Sequence, residues 1–368
     1  MRITTVIILT LALCILNSGC NSEPSRDAVF YNNRGLDYYN QGELDTAIVD
    51  YNKAIELDPQ LAIAYGNRGL AYDDQGELDK AITDYSKAIE LDPQLDAAYN
   101  NRGLAYHDQG ELDKAIVDYN KAIELAPADA ITYNNRGLAY EGQGELDKAI
   151  VDYNKAIELD PQQLMAYKYR GHAYYKQGEL DKAIADYNKA IEVDPAYANA
   201  YNSRGAVYYK QGELGKAIAD YSKAIELDPA YAFGYYNRGE AYRNQGELDK
   251  AIVDYNMAIE LDPQLATAYY NRGNAYKHQG ELDKAIADYS KSISLNPQMA
   301  HAYSSRGIVY FKQGELDKAI ADLTKAIELD PANARLYYGR GVTFEKLGDK
   351  ENAEADYAKA KELGYEPE

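Results

Sequence analysis

The sequence has 368 residues and a formal net charge of −20 at pH 7. An acidic surface of this kind disfavours binding to nucleic acid or to anionic membranes, because both require a basic protein face. It favours solubility, and the acids either form solvated helix exteriors or attract basic partners. Tyrosine occurs 38 times, phenylalanine 4 times and tryptophan never. So biased a composition is typical of one short unit copied many times.

The first 20 residues have the pattern of a secretory signal. A positive charge at Arg2 precedes an apolar run over residues 3–16, which is too short to cross a bilayer comfortably and has the length of a signal-peptide core. Both cysteines, Cys14 and Cys20, lie here. The rest of the chain therefore has no thiol for a disulfide, a cysteine metal site or a cysteine nucleophile.

Residues 16–20 have the sequence Leu-Asn-Ser-Gly-Cys, which resembles the lipobox of bacterial lipoproteins. In that family the signal is cut before the cysteine, which becomes lipid-modified. Asn17 departs from the pattern, because an aliphatic residue is usual three places before the cysteine. The resemblance implies a signal peptide over 1–19, a lipid anchor on Cys20 and a short tether over 20–27 that holds the protein to a membrane of the bacterial envelope. The alternatives are an ordinary secreted protein cut near Gly19 and an uncleaved anchor.

After the tether, the dipeptide Arg-Gly recurs every 34 residues without insertion or deletion. Its arginines are Arg34, Arg68, Arg102, Arg136, Arg170, Arg204, Arg238, Arg272, Arg306 and Arg340. This period divides residues 28–367 into ten units: 28–61, 62–95, 96–129, 130–163, 164–197, 198–231, 232–265, 266–299, 300–333 and 334–367. A unit of this size cannot bury its apolar face alone, so the units are expected to stack.

Each unit, with positions numbered 1 to 34, has two apolar stripes. In the first unit Tyr31, Gly35 and Tyr38 are spaced four and three residues apart, which is one face of an α-helix. Gly42 can end this helix, because glycine accepts the left-handed conformation. A second stripe follows over residues 44–55, and Pro59 stops that helix. Each unit is therefore predicted to be two antiparallel helices.

The small residues and aromatics of the unit form a known pattern. Gly at position 8, Ala at 20 and 27 and Pro at 32, with aromatics at 4, 11 and 24, resemble the tetratricopeptide repeat. The resemblance implies an all-α, right-handed superhelical solenoid of ten antiparallel helix pairs, with a concave groove lined by the first helix of each pair. It also implies a protein or peptide partner and no enzymatic activity. Two departures are systematic: position 4 is Tyr where the family often has Trp, and position 7 is Arg where it often has Leu.

The arginine at position 7 needs a partner, and position 23 offers one. All ten units have Asp there, as in Asp50 and Asp84. We predict an ion pair between the two positions, within one unit or between adjoining units. The competing interpretation pairs the aspartate with Lys at position 19 or 26 of its own helix. A pair repeated ten times has an architectural role.

The last unit differs from the others on one face. Positions 17, 21 and 28 are apolar in nine units but are Lys350, Glu354 and Lys361 in the tenth. Polar residues at these positions are what a solvent-facing end unit requires.

The sequence offers no constellation for catalysis. The four histidines, His107, His172, His278 and His301, lie in four different units. No phosphate-binding loop or dinucleotide fingerprint occurs. The sequence therefore predicts no enzymatic activity, no cofactor and no metal site.

The family resemblance suggests two ways to bind a peptide in the groove. The two-carboxylate clamp of chaperone-binding members does not fit, because Lys168 is the only lysine at position 5 and is followed by His172 and Ser203 where asparagines are needed. The asparagine ladder of long superhelical members fits better, since it uses Asn at position 6 to bind a peptide backbone. The candidates are Asn33, Asn67, Asn101, Asn135, Asn237 and Asn271. The alternative is that duplication copied an asparagine that bonds locally.

Charge divides the groove positions 12 and 13 into two halves. Units 2 to 4 have acids there, as at Asp73 and Glu141, whereas later units are mostly basic. The basic residues are Lys176, Lys210, Arg243, Lys277, Lys312 and Lys346, and nearby aromatics at positions 5 and 12 include Tyr175, Tyr209, Tyr236 and Tyr270. We predict that this half of the groove binds an acidic or aromatic-containing extended segment. The alternative is that cations are simply favoured at helix C-termini.

These patterns together predict a membrane-tethered interaction scaffold of the bacterial envelope that holds an extended peptide or a partner helix. Two alternatives stay open. One is a structural spacer that acts through self-association of its repeats, and the other is a glycan-binding envelope protein.

Overall fold

A computed structural model describes residues 26–366 of the chain. The predicted signal peptide, the lipid site at Cys20 and the tether up to residue 25 lie outside the described residues. The final two residues, 367–368, lie outside them as well.

Twenty α-helices and no strand occupy the described residues, which confirms the predicted all-α fold of ten helix pairs. The helices are α1 (Arg26–Asn40), α2 (Leu44–Leu57), α3 (Ala62–Asp74), α4 (Leu78–Leu91), α5 (Asp96–Asp108), α6 (Leu112–Leu125), α7 (Ala130–Gly142), α8 (Leu146–Leu159), α9 (Leu164–Gln177), α10 (Leu180–Val193), α11 (Ala198–Lys210), α12 (Leu214–Leu227), α13 (Ala232–Asn244), α14 (Leu248–Leu261), α15 (Ala266–Gln279), α16 (Leu282–Leu295), α17 (Ala300–Gln313), α18 (Leu316–Leu329), α19 (Ala334–Leu347) and α20 (Lys350–Glu362). Odd-numbered helices are the A helices of the pairs and even-numbered helices are the B helices.

The helix pairs fall into two compact units. The first unit ends at Pro195 and contains α1 to α10, and the second begins at Ala196 and contains α11 to α20. Within each unit, every A helix packs against its own B helix, and every B helix packs against the A helix of the following pair.

A left-handed glycine makes the turn inside each pair, as predicted. Gly144, between α7 and α8, has φ +79°. The next amide, that of Glu145, donates to the carbonyl of Tyr140 at 2.9 Å, which closes the helix end. A residue with a Cβ is strained at this φ, so glycine holds position 15.

The interior of nearly every pair is built around a tyrosine at position 24 that small residues enclose; the ninth pair has Leu323 there. Tyr153 at position 24 is fully buried against Ala149 of its own helix and Ala173 of the next pair. A Cβ added to Gly137 would lie 2.6 Å from Cε1 of Tyr153. Because real Cβ atoms do not approach so closely, glycine at position 8 is what lets α7 lie against the ring.

The predicted ion pair between positions 7 and 23 is confirmed and forms within one repeat. Nε and Nη2 of Arg136 donate to the two carboxylate oxygens of Asp152 at 2.8 and 2.7 Å. The aspartate is buried. The competing local pairing is wrong, because the lysines at positions 19 and 26 pair with glutamates instead, as Lys148 does with Glu145 and Lys155 with Glu158.

A third bond of the same arginine reaches the preceding repeat. Nη1 of Arg136 donates to Oδ1 of Asn120 on α6 at 2.7 Å. Equivalent bonds end on asparagine, serine or threonine at position 25: Asn52, Ser86, Asn154, Ser222, Asn256, Ser290 and Thr324. One guanidinium therefore ties three helices together, with the planar geometry that arginine alone provides.

The first and last pairs carry charge where inner pairs carry small or apolar residues. Position 10 is exposed Asp37 in the first repeat, whereas its counterparts Ala71 and Ala105 are fully buried against the preceding pair. In the last repeat Glu354 and Lys361 are exposed, and position 25 is Ala358, which offers no acceptor to a further arginine. Neither face is suited to receive another repeat of the same kind.

Candidate protein-binding surface

The candidate surface is the part of each A helix that bears positions 5, 6, 9, 12 and 13, here called the A face. Positions 5 and 6 differ sharply in exposure between the two units. From the second to the fourth repeat they are buried, with Asn67, Asn101 and Asn135 at most 3% exposed. In the second unit most of the corresponding residues are partly exposed.

The prediction that Asn101 and Asn135 present free amides to an open groove is wrong. Nδ2 of Asn135 donates to Oδ1 of Asn100 at 3.0 Å, and Oδ1 of Asn101 accepts from Nδ2 of Asn100 at 3.2 Å. Packing between successive A helices buries these amides, so a peptide backbone cannot reach them.

Three other asparagines predicted to form the ladder also bond within the protein. Position 6 donates to position 5 of the preceding repeat, because these two positions face each other between successive A helices. The bonds run from Asn67 to Asn32 (3.1 Å), from Asn237 to Asn202 (3.0 Å) and from Asn271 to the hydroxyl of Tyr236 (3.0 Å). Asn33 is exposed in the first repeat. These asparagines therefore join repeats to one another. This agrees better with the alternative that duplication copied an asparagine that bonds locally.

The predicted tyrosines lie on the A face and are partly exposed. Tyr270 has its ring 5.8 Å from Tyr289 and 4.5 Å from the imidazole of His301. Tyr236 lies 6.3 Å from Tyr255. Tyr209, near the end of α11, accepts from Nδ2 of Asn244 at 2.5 Å. Tyr175 holds the equivalent position in the first unit. Aromatic side chains held in this way offer rigid rings to a partner at little entropic cost.

Two of the predicted cations are neutralised within the protein. Nζ of Lys176 lies 3.0 Å from Glu141, and Nη2 of Arg243 lies 3.0 Å from Glu240. Glu240 lies at position 9, one helical turn before the basic position, and the pattern of positions 12 and 13 alone does not show it. Lys176 and Arg243 belong to the predicted basic track, but their charges are already paired within the protein.

Glu141 is the centre of a polar cluster in the first unit. Its carboxylate accepts from the hydroxyl of Tyr153 at 3.1 Å and lies 2.8 Å from Nδ1 of His172, in addition to its bond with Lys176. Burial acts to raise the pKa of Glu141, but the hydrogen bonds from His172 and Lys176 outweigh it, so that the pKa is lowered. The carboxylate is therefore a structural anion and not a poised acid.

Lys277 and Lys312 differ from these paired cations. Neither forms an ion pair with any residue in the range 26–366. Burial, together with the nearby charge of Lys312, lowers the pKa of Lys277. Lys210 is exposed at the end of α11, and Lys346 has its Nζ 4.4 Å from the ring centroid of Phe311.

The described residues contain no group of three or more histidine, cysteine, aspartate or glutamate side chains placed to hold a metal ion. None of the twenty described helices combines the length and the hydrophobicity needed to cross a bilayer.

Family models match the chain almost throughout. One described as a TPR repeat matches residues 35–76, 71–110, 103–144, 171–212, 205–246, 239–280 and 308–348. Others described as tetratricopeptide repeats match 130–163, 266–299, 152–185 and 334–363. No curated protein matches the chain.

Several solved structures are similar. A chain of the APC/C hetero-tetramer Cut9-Hcn1 has a TM-score of 0.56 at 18% identity, over 86% of this chain and 76% of that chain. A tetratricopeptide repeat protein from Parabacteroides merdae has a TM-score of 0.53 at 23% identity, over 68% of this chain and 98% of that chain. MamA is 32% identical over 43% of this chain and 93% of its own, with a TM-score of 0.42.

Proposed function

Because the chain belongs to the tetratricopeptide repeat family, we propose that it is a non-enzymatic scaffold that binds an extended acidic segment of a partner protein along the A face of its second unit. The observation that carries this proposal is the Lys277–Lys312 neighbourhood, where two cations have no ion pair within the described residues of an acidic protein.

The exposure of A-face side chains favours the second unit over the first as the binding surface. The A face of the first unit is filled between its second and fourth repeats by buried asparagines that bond to one another. The second unit instead has partly exposed Tyr236, Tyr270 and Tyr338 at position 5. Rings and lysines without an ion pair on the same face suit a segment that alternates acidic and aromatic residues, because the charges attract the segment and the rings bury its apolar parts.

We expect a ten-residue peptide of alternating Glu and Tyr to bind the protein, and a matched Lys and Tyr peptide not to bind. The double variant Lys277→Glu with Lys312→Glu should weaken binding about tenfold or more, because two attractive charges become repulsive. Fluorescence anisotropy measures the dissociation constant. Raising the salt concentration should weaken binding of the wild type, since screening shortens the reach of exposed charges.

The matched control changes the same charge on the B helices of the same repeats. Lys284 and Lys318 pair there with Glu281 and Glu315 and are more than half exposed. If Lys284→Glu with Lys318→Glu weakens binding as much as the A-face variant, bulk charge controls the interaction. If no acidic peptide binds, the structural spacer becomes the better account.

We also propose that the scaffold is held to a membrane of the bacterial envelope by a lipid on Cys20. The support is the signal-like stretch that ends in Gly19 and Cys20, together with the absence of any other cysteine after Cys14. One N-terminal lipid-bearing cysteine would leave the repeats free to bind a partner outside the cytoplasm.

The variant Cys20→Ala is expected to keep its signal peptide and to lose metabolic labelling by a fatty-acid analogue. Mass spectrometry of the N-terminus and in-gel detection of the label provide the two readouts, with Cys14→Ala as the control that should behave as wild type. Normal processing of Cys20→Ala would show that Cys20 is not the lipid site.

A further inference from the structure

Within each unit, neighbouring A helices meet through positions 12 and 13. At four of these junctions the side chain at position 12 of one repeat contacts the side chain at position 13 of the next, and the two are complementary. The contacts are the Tyr39 hydroxyl with Asp74 (2.5 Å), Glu141 with Lys176 (3.0 Å), the Tyr209 hydroxyl with Asn244 (2.5 Å) and the Phe311 ring with Lys346 (4.4 Å).

The junction between α15 and α17 differs from these four, because Lys277 and Lys312 hold the two positions. Lys277 is partly buried, and the charge that acts on it is the like charge of Lys312. Partial burial with a cationic neighbour disfavours the charged form, so this pair carries a cost that the four complementary junctions avoid.

No carboxylate of the eighth repeat is left to offset that cost. The repeat has four cations, Arg272, Lys277, Lys284 and Lys291, against three carboxylates. Each carboxylate has another partner: Glu281 pairs with Lys284, Asp283 accepts from Nε2 of Gln313 at 2.8 Å, and Asp288 pairs with Arg272. A counter-charge for Lys277 could therefore come only from outside this repeat.

We propose that Lys277 and Lys312 together form a binding site for a single oxyanion group, a carboxylate or a phosphate. One such group placed between the two ammonium groups accepts a charge-assisted hydrogen bond from each. Tyr270 lies two helical turns before Lys277 on α15, and Phe311 directly precedes Lys312 on α17. The inference deepens the proposed function, because it names the group by which an extended segment is anchored.

Amine acetylation followed by mass spectrometry tests the site at individual lysines. In wild-type protein Lys277 should react faster than Lys284, because its pKa is lowered whereas Glu281 raises the pKa of Lys284. Acetate or inorganic phosphate, compared with chloride at equal ionic strength, should slow the reaction of Lys277 and leave Lys284 unchanged. A bound oxyanion favours the charged ammonium, and each unit of pKa rise lowers the reactive fraction about tenfold.

The variant Lys312→Gln distinguishes phosphate binding at the lysine pair from general screening of charge by phosphate. It removes an exposed side chain, and Lys277 should then react more slowly than in wild type and lose its response to phosphate. Equal slowing of Lys277 and Lys284 by phosphate, or no slowing of either, would overturn the proposed site.

Peptides distinguish the source of the oxyanion and separate this inference from the proposed function. Three tyrosine-containing peptides should differ only in a central glutamate, phosphoserine or glutamine. Protection of Lys277 by the glutamate or phosphoserine peptide, but not by the glutamine peptide, supports both proposals and identifies the group. Protection by free phosphate or acetate but by no peptide supports the oxyanion site and contradicts the peptide-binding function.

Discussion

The substitution Tyr119→Ala is expected to destabilise the protein by about 3–5 kcal/mol, the cost typical of removing a large buried aromatic ring. Tyr119 is fully buried and packs against Ala115 of its own helix and Ala139 of the next pair. The cavity would open beside Gly103, whose backbone lies against the ring and has no side chain to fill the space. Urea denaturation followed by circular dichroism measures the loss.

Two conservative substitutions test whether the ring or the hydroxyl matters. The Tyr119 hydroxyl is buried without a hydrogen-bond partner among the described residues, so Tyr119→Phe should be neutral or slightly stabilising. The equivalent Tyr289 hydroxyl donates to Oδ1 of Asn274 at 2.9 Å, so Tyr289→Phe should cost about 1 kcal/mol. Equal effects of the two substitutions would contradict this account of the hydroxyls.

The substitution Arg136→Ala is expected to cost about 2–4 kcal/mol. It leaves the carboxylate of Asp152, which is 3% exposed, without its counter-charge, and it removes the bond to Asn120 in the preceding repeat. Removing one partner of a buried ion pair is usually more costly than this. The arginine side chain is 19% exposed, however, so water offsets part of the loss.

Arg34→Ala is the matched control for the arginine prediction. Arg34 makes the same two bonds to Asp50, but its side chain is 43% exposed and it has no third acceptor among the described residues. Its loss should shift the denaturation midpoint clearly less than the loss of Arg136. Similar shifts would show that the third bond and the burial of the inner arginines contribute little.

The repeat period explains why so much of the fold was predictable. One unit alone gives only weak evidence for a helix, from the spacing of Tyr31, Gly35 and Tyr38. The same spacing recurs in ten units, which makes the prediction secure. The pairing of Arg136 with Asp152 was predictable in the same way, because Arg at position 7 and Asp at position 23 occur in all ten units, whereas Lys at positions 19 and 26 does not.

Contacts between repeats were harder to predict, because they depend on how successive helix pairs approach one another. The bond from Arg136 to Asn120 was missed, although a signal existed: position 25 is Asn, Ser or Thr in nine repeats and Ala358 in the last. The burial of Asn101 and Asn135 was missed for the same reason, since periodicity within one unit does not show which polar positions meet the next unit.

Three recurring sets of hydrogen bonds between repeats also have a direction. In each of three sets the donor belongs to the later repeat and the acceptor to the earlier one, as with Arg136 to Asn120, Asn135 to Asn100 and Gln143 to Asp113. During translation the N-terminal repeat emerges first. A new repeat that makes these bonds meets their acceptors already in place on the repeat before it. We therefore expect the array to fold vectorially, with each completed pair serving as the template for the pair that leaves the ribosome next.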